Sequence, residues 1–323
     1  MRSIQIVAPD HSGMAKDVDV IRSALRGAAH EVSWKQPPAL SRAEKLVRKT
    51  RLLDRRRHRF RLNILVQVPF KWCLPDAEVN CLIPNQEWFS SEDVPQLRRV
   101  QEVWCKTEAA VEVFRELGCK TRYIGFSGRD LYAPDLDERG DRFERCLHVN
   151  GSNAWKGTQV LLDTWLRHPE WPHLTVVSRV PVRRPEALPP NVTLIERYLA
   201  DEELRALVNS CGISVQPTEM EGYGHSLAEA MSAQAVVLVT DGAPMNERVD
   251  RTRGVMIAAD RQEPHYMGRR YFVTSAAIER AMDEVIGMDK AQLQVLGAAA
   301  RRSFAAEADA FAGRLRAAVA RVL

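Results

Sequence analysis

Long apolar runs are missing from this sequence of 323 residues. No stretch approaches the roughly 20 consecutive apolar residues that a bilayer-spanning helix needs, so no such span is expected. Paired cysteines are missing too. The six present (Cys73, Cys81, Cys105, Cys119, Cys146 and Cys211) are scattered, with no Cys-x-x-Cys and no histidine at ligand spacing. That argues against a metal centre or a disulfide framework and for small buried thiols in a reducing compartment. Repeats and low-complexity tracts are absent as well, which sets aside solenoids and disordered linkers. The opening run Met1-Arg2-Ser3-Ile4-Gln5-Ile6-Val7-Ala8-Pro9 reads as a strand and lacks the charge, long apolar core and small-residue site of a signal peptide. A cytoplasmic protein is the expectation.

What is present is ordinary globular composition, 45% hydrophobic and 27% charged, over a length that suits two domains. Short apolar runs at 4–8, 64–68, 80–83, 102–107 and 121–124 read as buried parallel strands, with helices expected at about 15–28 and 108–117. The apolar-poor stretch Ala133-Pro134-Asp135-Leu136-Asp137-Glu138-Arg139-Gly140-Asp141 marks a boundary. The expected domains are therefore 1–140 and 141–323. Strands at 146–150, 174–178, 192–195, 212–216 and 236–240 alternate with helices at 158–166, 201–208 (Asp201 as N-cap) and 226–233. An alanine-rich helical stretch follows from 274 to 323. Such alternation is α/β, with ligands expected at the carboxyl ends of parallel strands.

Net charge is only +4, yet residues 42–61 hold ten Lys/Arg (Arg42, Lys45, Arg48, Lys49, Arg51, Arg55, Arg56, Arg57, Arg59, Arg61) against Glu44 and Asp54, a local +8. A surface of that sign suits a polyanionic partner.

The most informative segment is Pro217-Thr218-Glu219-Met220-Glu221-Gly222-Tyr223-Gly224-His225-Ser226-Leu227-Ala228-Glu229-Ala230-Met231. It reads as the end of a strand, a glycine-flanked loop and a helix start. That geometry aims free backbone N–H groups and the positive end of a helix dipole at an anion. Glu221 precedes the helix and Glu229 lies about a turn inside it, so both reach the same mouth. Phosphate on the amides and sugar hydroxyls on the carboxylates fit such a mouth.

This motif resembles the Glu-x7-Glu signature of retaining, nucleotide-sugar-dependent glycosyltransferases of the GT-B fold, family 4 and its neighbours. The likeness extends to His148-Val149-Asn150-Gly151-Ser152-Asn153-Ala154-Trp155-Lys156-Gly157, similar to the family's Gly-Arg…Lys-Gly loop, and to Asp241-Gly242-Ala243-Pro244-Met245-Asn246-Glu247. Cys105-Lys106-Thr107-Glu108 resembles its Ser-Glu helix start, and Ile124-Gly125-Phe126-Ser127-Gly128-Arg129-Asp130 its Asn-Gly-Val-Asp turn. Residues 1–100 match only by pattern. Two departures stand out: Ser152 where the family carries a diphosphate-gripping arginine, and Ala233-Gln234-Ala235-Val236-Val237 for its Gly-x-Pro-Val.

The resemblance implies two Rossmann-like domains facing each other across a cleft, the second binding the donor and the last helix crossing back. It implies a nucleotide-diphospho-sugar donor, a UDP- or GDP-sugar, with no cofactor and no metal. Lys156 would neutralise the diphosphate, and Glu221 would orient the transferred sugar; these two are the expected catalytic pair. Gly13, Gly151, Ser152, Gly222, Tyr223, Gly224, His225, Ser226 and Leu227 would line the donor, with Glu229 accepting from the ribose diol. The loop Glu196-Arg197-Tyr198 is the candidate base contact, and Arg129 or Arg179 the candidate for the missing arginine. On the acceptor side stand His11, Asn85, Glu87 and Arg129.

Three functional readings remain open. One is a hexosyltransferase acting on nucleic acid with hydroxymethylated pyrimidines, drawn by the Arg42–Arg61 segment. Another is a peripheral-membrane enzyme acting on a lipid-linked or cell-envelope glycan. The last is a non-catalytic binding or partner subunit of the same fold.

Overall fold

A computed structural model describes residues 2–9, 12–26, 30–35, 58–136 and 141–323. The chain divides into two compact units. Unit 1 comprises Met1–Gly128, His265–Gly268 and Glu307–Leu323; unit 2 comprises Arg129–Pro264 and Arg269–Ala306.

In unit 1 the order is β1 (Arg2–Val7), α1 (Ser12–Ala24), β2 (His30–Lys35), β3 (Phe60–Gln67), β4 (Ala77–Pro84), β5 (Glu102–Cys105), α2 (Glu108–Glu116) and β6 (Thr121–Tyr123). The strands form one sheet, β2-β1-β3-β4-β5-β6, in which every pairing is parallel. The continuous apolar runs Ile64-Leu65-Val66 and Cys81-Leu82-Ile83 are wholly buried, as strands covered on both faces require. Thr107 caps α2 by accepting from Ala110 N at 3.2 Å. From Glu307 onward the last helix belongs to this unit, packing Phe311 on Phe126 with ring centroids 4.9 Å apart.

Unit 2 repeats the plan: β7 (Arg145–Gly151), α3 (Thr158–Trp165), β8 (His173–Ser178), β9 (Val192–Ile195), α4 (Asp201–Ser210), β10 (Ile213–Gln216), α5 (His225–Ser232), β11 (Val236–Thr240), α6 (Met245–Arg248) and β12 (Gly254–Ile257). A hairpin, β13 (Arg261–His265) and β14 (Gly268–Phe272), the helix α7 (Ser275–Ile286) and the part of α8 (Lys290–Val322) up to Ala306 complete the list, the hairpin residues His265–Gly268 being grouped with unit 1. Its six-stranded sheet, β12-β11-β10-β7-β8-β9, is again parallel throughout. Leu161, Trp165, Trp171, Val176, Val215, Leu238, Ile278 and Met282 share one core, with Trp165 and Trp171 edge-to-face at 4.8 Å. Fully burying side chains of this size contributes roughly 1.5–3 kcal/mol each.

Several local expectations shift. The first helix starts at Ser12, so Gly13 lies in its first turn and not in a loop. Asp201 is the first residue of α4, not its cap; Ala200 holds that position and Glu203 reaches back to its N–H at 3.1 Å. The hairpin β13–β14 was not foreseen, because Arg261-Gln262-Glu263-Pro264-His265 is too polar to read as a strand. Among the described residues no helix is long and apolar enough to cross a membrane. Of the basic segment 42–61, residues 42–57 lie outside the described residues, as does His11.

Candidate functional site

Two loops at carboxyl ends of the unit 2 sheet meet. One follows β7 and carries Gly151 to Gly157; the other follows β10 and carries Pro217 to Gly224. They are pressed together: a Cβ on Gly157, whose φ is +66°, would lie 2.1 Å from the Pro217 carbonyl oxygen. A side chain there is therefore impossible without moving backbone. Glu219 N donates to Trp155 O at 2.9 Å, a backbone bond between the two loops.

That approach brings Lys156 onto Glu221. The ammonium donates to Glu221 Oε1, and also to Ser226 Oγ at 3.1 Å; both members of the pair are buried. Thr218 Oγ1 donates to the same carboxylate oxygen at 3.1 Å. Ser226 and Glu229 stand three apart on α5, so they share a face of that helix. Gly224, with φ +87°, is its N-cap. Tyr223 is buried under the Arg248 guanidinium, 3.9 Å from its ring centroid, and meets the His225 ring edge-on at 5.3 Å. Gly222 and Leu227 are buried in the same turn.

Glu229 is 3% exposed. Its Oε1 accepts from Arg129 Nε at 3.0 Å, while Arg129 Nη1 donates to Asp201 Oδ1 at 2.5 Å. Arg129, expected on the acceptor side, is thus a unit 2 residue beside Glu229, which was expected on the donor side. Ser152 is exposed on the β7 loop. Arg179 N donates to Gly151 O at 2.7 Å, and the Arg179 guanidinium lies 5.9 Å from the exposed Tyr198 ring. Glu196 and Arg197 are engaged by Arg184 at 3.0 Å and Glu203 at 2.7 Å.

Beneath these loops sits His148, fully buried. Its Nδ1–H donates to Val215 O at 2.7 Å, which leaves Nε2 to accept from Thr158 Oγ1 at 2.9 Å. Burial drives its pKa down to about 4, and the Lys156 charge acts in the same direction. It is a neutral strut between β7, β10 and α3.

In unit 1, Asn85 and Glu87 are buried in the turn after β4. Lys106, at the end of β5, donates to Asn85 Oδ1 at 2.7 Å and to Asp17 Oδ2 at 2.5 Å. Nothing local in the sequence announces this buried pair, whose members lie 89 residues apart. Asp17-Val18-Asp19 is an Asp-x-Asp sequence, but it lies within α1 and Asp17 is held by Lys106. Among the described residues no group of three or more His, Cys, Asp or Glu is placed to hold a metal ion.

Comparison places this architecture. Residues 145–266 match the family described as glycosyl transferases group 1. No curated protein matches the chain at the level of sequence. Three solved structures that match it over nearly their whole length do so at low identity. A sucrose-phosphate synthase from Thermosynechococcus elongatus is 13% identical, with 99% of each chain covered and a TM-score of 0.72. A glycosyltransferase from Rickettsia africae is 12% identical, covering 99% of this chain and 97% of that one at a TM-score of 0.68. An E. coli trehalose-6-phosphate structure bound with UDP-2-fluoro glucose is 11% identical, with 99% and 98% covered and a TM-score of 0.66. The chain has the GT-B fold of these glycosyltransferases, and its residues 145–266 match the glycosyl transferases group 1 family.

Proposed function

We propose that this protein is a retaining, nucleotide-sugar-dependent hexosyltransferase. The observation that carries the reading is the convergence of Lys156, Glu221 and Ser226 at the start of α5, from two distant parts of the chain. Lys156 supplies positive charge for the donor diphosphate, and the N-terminal amides of α5 supply oriented donors for its oxygens. Glu221 receives the transferred sugar's hydroxyls, and Glu229, one turn into α5, the ribose diol. In this reading no side chain attacks the sugar. The leaving phosphate assists deprotonation of the incoming hydroxyl on the same face, and the protein contributes position and charge stabilisation. No metal is required by this scheme. Unit 2 takes the donor and unit 1 the acceptor, with Asn85 and Glu87 as its candidate contacts. The E. coli relative's UDP-2-fluoro glucose supports a UDP-sugar donor.

For the acceptor, the +8 segment at 42–61 favours a polyanion, and DNA bearing hydroxymethylated pyrimidines is the reading we adopt. A lipid-linked acceptor at an anionic membrane is the second reading, favoured by the same charge. The test is nucleotide release from a panel of UDP-, GDP- and ADP-sugars, with and without such DNA or anionic vesicles carrying a lipid-linked glycan. Turnover stimulated by the DNA supports the first acceptor; turnover stimulated only by the vesicles supports the second. An absence of both binding and turnover for every donor would leave a non-catalytic partner subunit.

A further inference from the structure

A carboxylate as deeply buried as Glu229 stays ionised and fixed only if a countercharge and hydrogen bonds replace the water it has lost. Here the countercharge comes from Arg129, 100 residues earlier in the chain. It is anchored twice, Nε on Glu229 at 3.0 Å and Nη1 on Asp201 at 2.5 Å. Two anchors on a planar fork fix its orientation, and through it that of the carboxylate. Exposure rises outward along the chain of groups, 4% for the Glu229 side chain, 28% for Arg129 and 66% for Asp201. Lys156, on the neighbouring loop, is engaged by Glu221 and Ser226.

We propose that Arg129 is a positioning residue of the donor site: it holds Glu229 ionised and aimed so that the carboxylate accepts a hydroxyl of the donor's ribose. This rests on the nucleotide-sugar reading above. A purely structural ion pair would affect folding alone. A positioning pair must also affect how the site tells ribose from deoxyribose.

The experiment is calorimetric titration of UDP, GDP and ADP, each beside its 2′-deoxy and 3′-deoxy analogues. The proteins are the wild type, R129M, R129K, D201N, E229Q and the R129M/E229Q double variant. Wild type should prefer the ribonucleotide by about tenfold or more, as expected when a built hydrogen-bond partner is left unpaired. R129M should bring that preference close to one, with R129K recovering part of it. The double variant should bind no more weakly than E229Q, because Arg129 acts through Glu229 and the two losses should not add. In turnover the donor KM should rise with kcat little changed. An R129M protein with the wild-type preference overturns the proposal, as do losses that multiply in the double variant. If R129M does not fold, R129K and D201N decide: each should lower the preference by about two- to threefold, and wild-type preference in both overturns it. A wild type that binds none of the nucleotides overturns the nucleotide-sugar reading and this proposal together. Wild-type binding with unaltered variants overturns this proposal alone.

Discussion

Glu221 and Glu229 are spelled alike in the sequence but have different partners in the fold. Glu221 receives an ammonium and the Thr218 hydroxyl, Glu229 a guanidinium. Glu221→Gln keeps an acceptor for Lys156 while removing the charge. It should fold and lose transfer by about a hundredfold or more, as when a positioned charge-stabilising group is lost. Steady-state kinetics beside a melting curve checks this, and wild-type turnover would remove Glu221 from the chemistry. Glu229→Gln should weaken donor binding instead, read as a change in Kd.

Two other buried residues make stability depend on pH on the acid side. His148 titrates at about 4 in the folded protein against an ordinary 6.5, because burial disfavours its charged form. The unfolded chain therefore binds more protons between those values, and stability falls as pH drops through 6.5 toward 4, by roughly 3 kcal/mol in all. For Glu102, burial pushes the pKa up, but hydrogen bonds from Arg122, Lys120 and Trp104 outweigh it and hold the carboxyl at about 2. Its contribution is present above the ordinary 4.5 and is lost as pH falls toward 2. Melting temperatures from pH 8 to 3 should show the first decline, and H148Q should flatten it between 6.5 and 4. A wild-type curve flat over that window would show that His148 is not buried neutral.

At the scale of elements, the site exists because two strand-to-helix loops approach within backbone contact. Gly151 and Gly157 share a φ of +66°, yet a Cβ on Gly151 meets nothing within 4 Å while one on Gly157 strikes the Pro217 carbonyl. Gly151→Ala should therefore cost about 1–2 kcal/mol, the ordinary cost of a left-handed residue. Gly157→Ala should cost more, because the second loop must move as well, and donor affinity should fall with it. Thermal denaturation with nucleotide titration separates the two effects. Equal losses in both variants would mean that the loops are not in contact.

At the scale of the molecule, the chain consists of two units, so a single unfolding free energy is not a defined quantity. A donor nucleotide should stabilise the unit it binds by about 2.7 kcal/mol at a hundred times its Kd. Hydrogen exchange should place the new protection at 151–157 and 217–232. Protection confined to unit 1 would reverse the assignment of donor and acceptor sides.

Much of this was legible in the sequence, for a physical reason. Buried parallel strands read as continuous apolar runs, and a tight left-handed helix start favours glycine, so β3, β4, β10, β11 and the loop before α5 could be read one segment at a time. The polar hairpin β13–β14 could not, since its strands carry no apolar period. Nor could the partners of the site residues. Lys156 finds Glu221 65 residues away, Arg129 finds Glu229 at 100, and Lys106 finds Asp17 at 89. The sequence alone determined the alternating architecture and the two glutamates on one short loop-and-helix, because periodicity and turn chemistry act between neighbours. Only the tertiary structure decided which cation each buried carboxylate receives, because a charge out of water takes whatever countercharge the packing brings within hydrogen-bond reach, without regard to distance along the chain.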